Sequence, residues 1–184
     1  MAKQDIGLIG LAVMGQSLVL NMESKGYSVA ASNRTAERTR RFAGGRARGK
    51  NISAAYSIKE FVDSLKKPRK IMLMVKAGNP VDENINALMP FLDSGDLIID
   101  GGNSFYKDTI SRNSQLAGKS ILYLGTGVSG GEEGALLGPA MMPGGQKEAY
   151  VLVKDIFENI SAKADDGIPC VSYIGSDGAG HFVK

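Results

Sequence analysis

The chain is 184 residues long, 43% hydrophobic and 22% charged, which suits one generous domain with a real core and excludes a disordered chain. A net charge of +3 is too small for a nucleic-acid surface, and the single cysteine, Cys170, excludes an internal disulfide and fits a reducing compartment. No run reaches the length of a membrane span, the start lacks the apolar stretch of a signal peptide, and no Cys/His/carboxylate spacing suggests a metal. A soluble, cytoplasmic, metal-free protein is expected.

Residues 6–9 read as a short buried strand that runs straight into a glycine-rich turn. Gly10, Ala12 and Gly15 stand where a dinucleotide-binding turn has its three small residues: for a sharp bend, for the approach of a pyrophosphate, and for close packing of helix on strand. Ala12 replaces the usual glycine and requires a negative φ. Leu18, Val19 and Met22 stripe the helix that follows, Gly26 stops it, and residues 27–32 form a second strand. At that strand's end an NAD site would carry Asp or Glu for the ribose 2′-hydroxyl, but here stand Asn33, Arg34 and Thr35. Arginine offers a 2′-phosphate a planar fork of charge-assisted donors, with the threonine hydroxyl alongside, so the loop reads as selecting NADP. The alternative is an ordinary loop with a helix N-cap at Thr35. The basic cluster over residues 34–48 reads as a solvated helix face continuing from that site.

Helix and strand signals then alternate, the pattern of a parallel sheet covered on both faces. The spacing predicts a helix over 36–42, a short strand over 52–56, and a helix opened by a capping box at Ser57 and Glu60. Next come an apolar central strand over 71–75, a helix over 81–92, a strand over 97–100, a polar helix over 107–117 and a strand over 121–124. Residues 125–135 hold too many glycines for continuous regular structure to be expected. A strand over 140–145 and a helix over 147–159 follow, the latter with Val151, Val153, Ile156 and Phe157 on its apolar side. A last strand over 171–174, a loop over 175–180 and the start of a helix at His181 complete the chain, with Cys170 read as small, buried and on a strand. The fold class is α/β: a Rossmann-like, doubly wound, mainly parallel sheet.

Ligands of such a sheet gather outside the carboxyl ends of its strands. Four loops lie there, over 10–15, 33–35, 75–77 and 101–104, and the loop over 129–131 follows the next strand. The bare backbone of Ser129, Gly130 and Gly131 can bind oxyanions, or serve only as a structural turn. Asn103 can touch cofactor and substrate together, or simply make an Asx-turn. Lys184 is either a solvated cation or, if carried inward, a general base. His181 reads as a packing or hydrogen-bonding residue.

Six motifs taken together resemble, in order and spacing, the 6-phosphogluconate dehydrogenase family. They are Gly10-Leu11-Ala12-Val13-Met14-Gly15, Asn33-Arg34-Thr35, Val75-Lys76-Ala77, Asp100-Gly101-Gly102-Asn103-Ser104, the segment 127–135, and Gly180-His181-Phe182-Val183-Lys184. The resemblance implies NADP-dependent oxidative decarboxylation of 6-phospho-D-gluconate to D-ribulose 5-phosphate and CO2 in the pentose phosphate pathway. By position it implies a pyrophosphate site at residues 10–15, with Asn33, Arg34 and Thr35 on the 2′-phosphate and Val75, Lys76 and Ala77 along the cofactor cleft. Asn103 would meet cofactor and substrate, Ser129, Gly130 and Gly131 the sugar acid, and Lys184 would be the base.

It further implies a domain over 1–178 and, over 179–184, the start of a helix linking to an all-helical domain. That domain would carry most of a homodimer interface, the acid catalyst and the substrate-phosphate arginines, so the chain alone would not turn over. Two rivals remain: a 3-hydroxyisobutyrate-type enzyme, whose family resembles Asp-x-Ser-Thr at residues 100–103, and a non-catalytic NADP-binding module.

Overall fold

A computed structural model describes residues 2–184. Seven strands form one sheet in the order β3-β2-β1-β4-β5-β6-β7. They are β1 (Ile6–Ile9), β2 (Val29–Ser32), β3 (Ile52–Ala54), β4 (Lys70–Leu73), β5 (Leu97–Asp100), β6 (Leu122–Ser129) and β7 (Ala140–Gly145). The first six run parallel and β7 returns antiparallel along β6. The helices are α1 (Val13–Ser24), α2 (Ala36–Gly44), α3 (Ile58–Asp63), α4 (Asn79–Leu88), α5 (Tyr106–Ala117), α6 (Gly131–Leu137), α7 (Lys147–Ile160) and α8 (Ala179–Val183). A 3-10 turn over Met89–Phe91 extends α4.

Both faces of the sheet are dry, so the strands read as apolar runs; the period of two decides which helix each side chain meets. Leu8, Met72 and Ile99 face a core shared with α1, α6 and α7. Their neighbours Ile9, Ile71 and Ile98 face a second core built on α3, α4 and α5. Gly7 admits α3, since a Cβ there would collide with the Phe61 ring. Asn21 of α1 is buried and donates to the carbonyls of Ala135 (3.2 Å) and Ile160 (2.9 Å), which ties α1 to the ends of α6 and α7. Ser57 accepts from Glu60 N at 3.1 Å as the capping spacing predicts, while the Glu60 carboxylate reaches back to Tyr56 N at 2.8 Å.

Several expectations need correction. The glycine-rich stretch 125–135 is regular: β6 continues through Ser129 and α6 begins at Gly131. Residues 171–174 form no strand: Val171 bridges Met141 and Gly175 bridges Gly144, both in parallel along β7, but the pairing slips by one residue between them and stays two isolated bridges. Cys170 is exposed and outside any strand. On α7, Val151 faces solvent while Val153, Ile156 and Phe157 are buried. The central strand β4 ends at Leu73, so Met74 and Val75 leave the sheet and are free to line a cleft.

Candidate functional site

The sheet reverses its winding between β1 and β4, and the crevice outside those strand ends is bounded by the turn that β1 enters. Gly10 has φ +110°, and a Cβ on it would strike the Met74 carbonyl. A Cβ on Gly15 would strike the Gly10 carbonyl, so α1 sits as close to β1 as backbone allows. Ala12 has φ −72°, a conformation that accepts its methyl group without strain. No side chain caps α1 and its first turn carries no acidic residue. Its leading amides are therefore unclaimed and its dipole uncompensated, which suits an anion such as a pyrophosphate.

From this turn the crevice extends in two directions. Toward β2 it is a cleft of about 400 Å3 lined by Gly10, Ala12, Asn33, Arg34, Thr35 and Arg38, with Val75, Lys76, Glu83 and Asn84 opposite. None of the ion pairs among the described residues uses Arg34 or Arg38. The sequence reading held Arg38 only within the solvated basic cluster over 34–48; its place in the first turn of α2 brings it to the same cleft as Arg34. Beyond Arg34 lies a further pocket of about 310 Å3 with Tyr56, Ser57, Ile58 and Ala87, unforeseen in the sequence.

Toward β6 the crevice widens to about 560 Å3, bounded by Ala12, Val13 and Met14, by Met74, Val75 and Lys76, and by Gly102, Asn103, Ser129, Gly130, Gly131 and Lys184. Ala12, Met74, Val75 and Lys76 border both compartments, so the two are one continuous groove. Leu11, Gly15 and Ala77 do not line it: Leu11 is buried, Gly15 packs beneath the turn, and Ala77 lies past the wall.

Asn103 is presented by a loop that Asp100 ties down. The fully buried Asp100 carboxylate accepts from Gly102 N (3.1 Å), Ser104 Oγ (2.6 Å) and Tyr123 OH (3.1 Å). The Asx-turn at this loop therefore belongs to Asp100, and the Asn103 side chain is free to face the cleft. Arg112 of α5 lies 3.6 Å from Asp100 and grips Asp82 of α4 at 2.7 and 2.9 Å. Burial, reinforced by the Asp100 charge, pushes the Tyr123 phenol well up, so it stays a proton donor to the carboxylate.

Lys184 reaches the same place from the far end of the chain. Its Nζ donates to Asn103 Oδ1, and burial pushes its ammonium down from the usual value. Four glycines let α8 press onto the sheet. A Cβ on Gly180 would collide with the carbonyls of Met142 and Gly125, and one on Gly144 with Gly180 N. On Gly125 it would lie 2.8 Å from His181 Nδ1, and on Gly127 2.8 Å from Lys184 Cβ. His181 is buried and bonded to Thr109 Oγ1 at 2.7 Å, in the packing role expected of it.

The family described as the NAD binding domain of 6-phosphogluconate dehydrogenase matches residues 5–175. An NADP(+)-dependent, decarboxylating 6-phosphogluconate dehydrogenase of Bacillus subtilis is 60% identical over all of this chain and 39% of its own. A decarboxylating 6-phosphogluconate dehydrogenase of Treponema pallidum is 61% identical over 98% of this chain and 37% of its own. Among solved structures, the Plasmodium falciparum 6-phosphogluconate dehydrogenase, described with its cofactor NADP+ and its substrate 6-phosphogluconate, superposes with TM-score 0.92. It shares 46% identity over 97% of this chain and 38% of that one. A 3-hydroxyisobutyrate dehydrogenase of Salmonella typhimurium, at TM-score 0.79, 19% identity, and coverage of 98% of this chain and 60% of its own, shares the fold alone. The chain thus spans about two fifths of the length of the curated relatives it matches.

Proposed function

The chain belongs to the 6-phosphogluconate dehydrogenase family as its coenzyme-binding domain, and from that premise we propose that it binds NADP and contributes the dehydrogenase half of the active site. The reaction is oxidation of 6-phospho-D-gluconate at C3 followed by loss of CO2, giving D-ribulose 5-phosphate, as a cytoplasmic step of the pentose phosphate pathway. The observation that carries this reading is the single groove with a basic end at Arg34, Thr35 and Arg38 and a polar end at Asn103, Ser129 and Lys184.

Each residue has a task set by where it stands. The uncapped start of α1 holds the pyrophosphate, and Arg34 with Thr35 selects the 2′-phosphate. NADP bound along the groove supplies the hydride acceptor. Ser129, Gly130 and Gly131 hold the sugar acid, and Asn103 positions it against the cofactor. Lys184 takes the C3 hydroxyl proton as the C3–H bond gives up its hydride, and it can do so only as a neutral amine. Its partial burial shifts the balance toward that form, because a desolvated ammonium is the costlier state. The 3-keto acid then loses CO2, the carbonyl oxygen receives the electron pair, and the enediol is protonated at carbon.

The proton for that last step, the groups that hold the substrate phosphate and most of a homodimer interface belong to an all-helical domain continuing from α8. The chain alone therefore binds NADP without turnover. Calorimetry with NADP, paired with absorbance of NADPH after adding 6-phosphogluconate, tests both halves of the reading. Binding without NADPH formation is expected; no binding overturns the cofactor assignment, and measurable NADPH formation overturns the division of labour.

A further inference from the structure

The Asn33 carboxamide is used twice inside the chain. Its Oδ1 accepts the Leu11 N–H at 3.0 Å, and its Nδ2 donates to Thr35 Oγ1 at 2.9 Å. Leu11 belongs to the turn after β1, and Thr35 to the loop that opens α2, twenty-four positions on. Thr35 is the N-cap of α2, where a threonine ordinarily turns its oxygen to the helix amides. Here it makes no side-chain cap; Arg38 N bonds the Thr35 carbonyl at 3.1 Å instead. With its oxygen accepting from Asn33, Thr35 keeps a hydroxyl proton that has no acceptor among the described residues, on the wall of the cleft that also carries Arg34 and Arg38.

The family resemblance puts Asn33 on the 2′-phosphate. The geometry gives it other work: we propose that Asn33 is a positioning residue, a strut holding the pyrophosphate turn and the 2′-phosphate platform in one register. Its acceptor fixes the Leu11 peptide, and with it the path from Gly10 to Ala12. Its donor fixes the Thr35 hydroxyl. One side chain therefore sets both phosphate subsites, so that ordering either end of the groove orders the other. The inference rests on the NADP reading of the groove but makes a different demand on it. A residue that merely touched the 2′-phosphate would matter to NADP alone, whereas a strut matters to NAD as well, which shares the pyrophosphate and lacks the 2′-phosphate.

The test titrates the chain and three variants with NADP and with NAD. Asn33→Ala should weaken NAD by roughly tenfold, the worth of about one lost hydrogen bond at Leu11, and NADP by more, because the Thr35 hydroxyl is freed as well. Thr35→Val should weaken NADP by a similar factor and leave NAD within about twofold, and the double variant should lose less NADP affinity than the product of the two. Asn33→Asp keeps the acceptor for Leu11 and loses the donor to Thr35, so it should hold NAD within about twofold of the unaltered chain while losing NADP. Loss of NADP alone in Asn33→Ala, or equal loss of NAD in Asn33→Asp and Asn33→Ala, overturns the strut. Hydrogen exchange at the Leu11 amide, read without nucleotide, separates this inference from the cofactor reading. It should quicken roughly tenfold in Asn33→Ala and stay slow in Asn33→Asp and Thr35→Val. An unchanged rate in Asn33→Ala sinks the strut whatever the nucleotides do.

Discussion

The chain has two glycine-rich regions, one at residues 10–15 and one spread over 125–145 and 180, and they use the same residue for opposite ends. In the first, glycine shapes a local bend and leaves backbone amides open toward the groove, with Gly10 at φ +110° as the pivot. In the second, Gly125 and Gly127 lie in an ordinary strand, and what matters is the missing Cβ, which lets α8 lie on the sheet and deliver Lys184 to Asn103. One region makes room for a ligand; the other makes room for a helix that ends on Lys184. Composition alone cannot separate these uses, because the second depends on partners between 36 (Gly144 to Gly180) and 57 (Gly127 to Lys184) positions away.

The largest way to press this difference is Gly15→Ala. The added methyl meets backbone at Gly10, which cannot swing aside, so the turn must open. A loss of about 3 kcal/mol of stability in denaturant unfolding is expected, together with roughly a hundredfold loss of NADP affinity. Gly180→Ala should cost less, about 2 kcal/mol, because α8 can lift from β6 and β7 as a unit. Its signature is a sensitive α8 in limited proteolysis with NADP affinity held within about twofold. If Gly180→Ala damages NADP binding as badly as Gly15→Ala, the two regions are not the separate devices described. Gly127→Ala is gentler still: the added methyl lies 2.8 Å from Lys184 Cβ, a shallower clash than those at Gly180 and one that a small shift past the end of α8 relieves, so stability should fall by about 1 kcal/mol. The change should show as altered pH dependence of Lys184 labelling by an amine reagent.

The smallest effect lies at the opposite ends of the strands, away from either region. Asp5 accepts from Ser28 N (2.9 Å) and Ser28 Oγ (2.7 Å) and pairs with Lys66 at 2.6 Å. Partial burial pushes its carboxyl up, but Lys66 and Ser28 outweigh that and hold it at about 2, below the ordinary 3.8. The stability it contributes is therefore complete above the ordinary value and is lost as pH falls through the folded one. Acid unfolding followed by circular dichroism should show a shallower slope between pH 3.8 and about 2 in Asp5→Asn, with nucleotide affinity unchanged at neutral pH.

What the sequence disclosed and what it hid divide along the same line. The turn at Gly10, the switch of Arg34 for an acidic residue and the alternation of strands with amphipathic helices are local signals. They were legible because the physics behind them acts within a few residues. Hidden were features whose cause is tertiary. Residues 171–174 have a strand's pattern, but their pairing with β7 slips by one residue between Val171 and Gly175 and leaves only isolated bridges. Cys170 looked like a core residue only on the assumption of that strand. Arg112, which bridges Asp82 and Asp100 behind the Asn103 loop, carries no motif at all. Asn33 was legible as part of a motif, but its two internal bonds, and so its distinct task, were not.

The central claim is that the groove is built for a 2′-phosphorylated dinucleotide, and parallel calorimetric titrations of the unaltered chain with NADP and NAD at one ionic strength test it most directly. NADP should bind at least roughly tenfold tighter than NAD, as expected for charge-assisted bonds to Arg34 and Thr35. Equal affinities, or a preference for NAD, would contradict it.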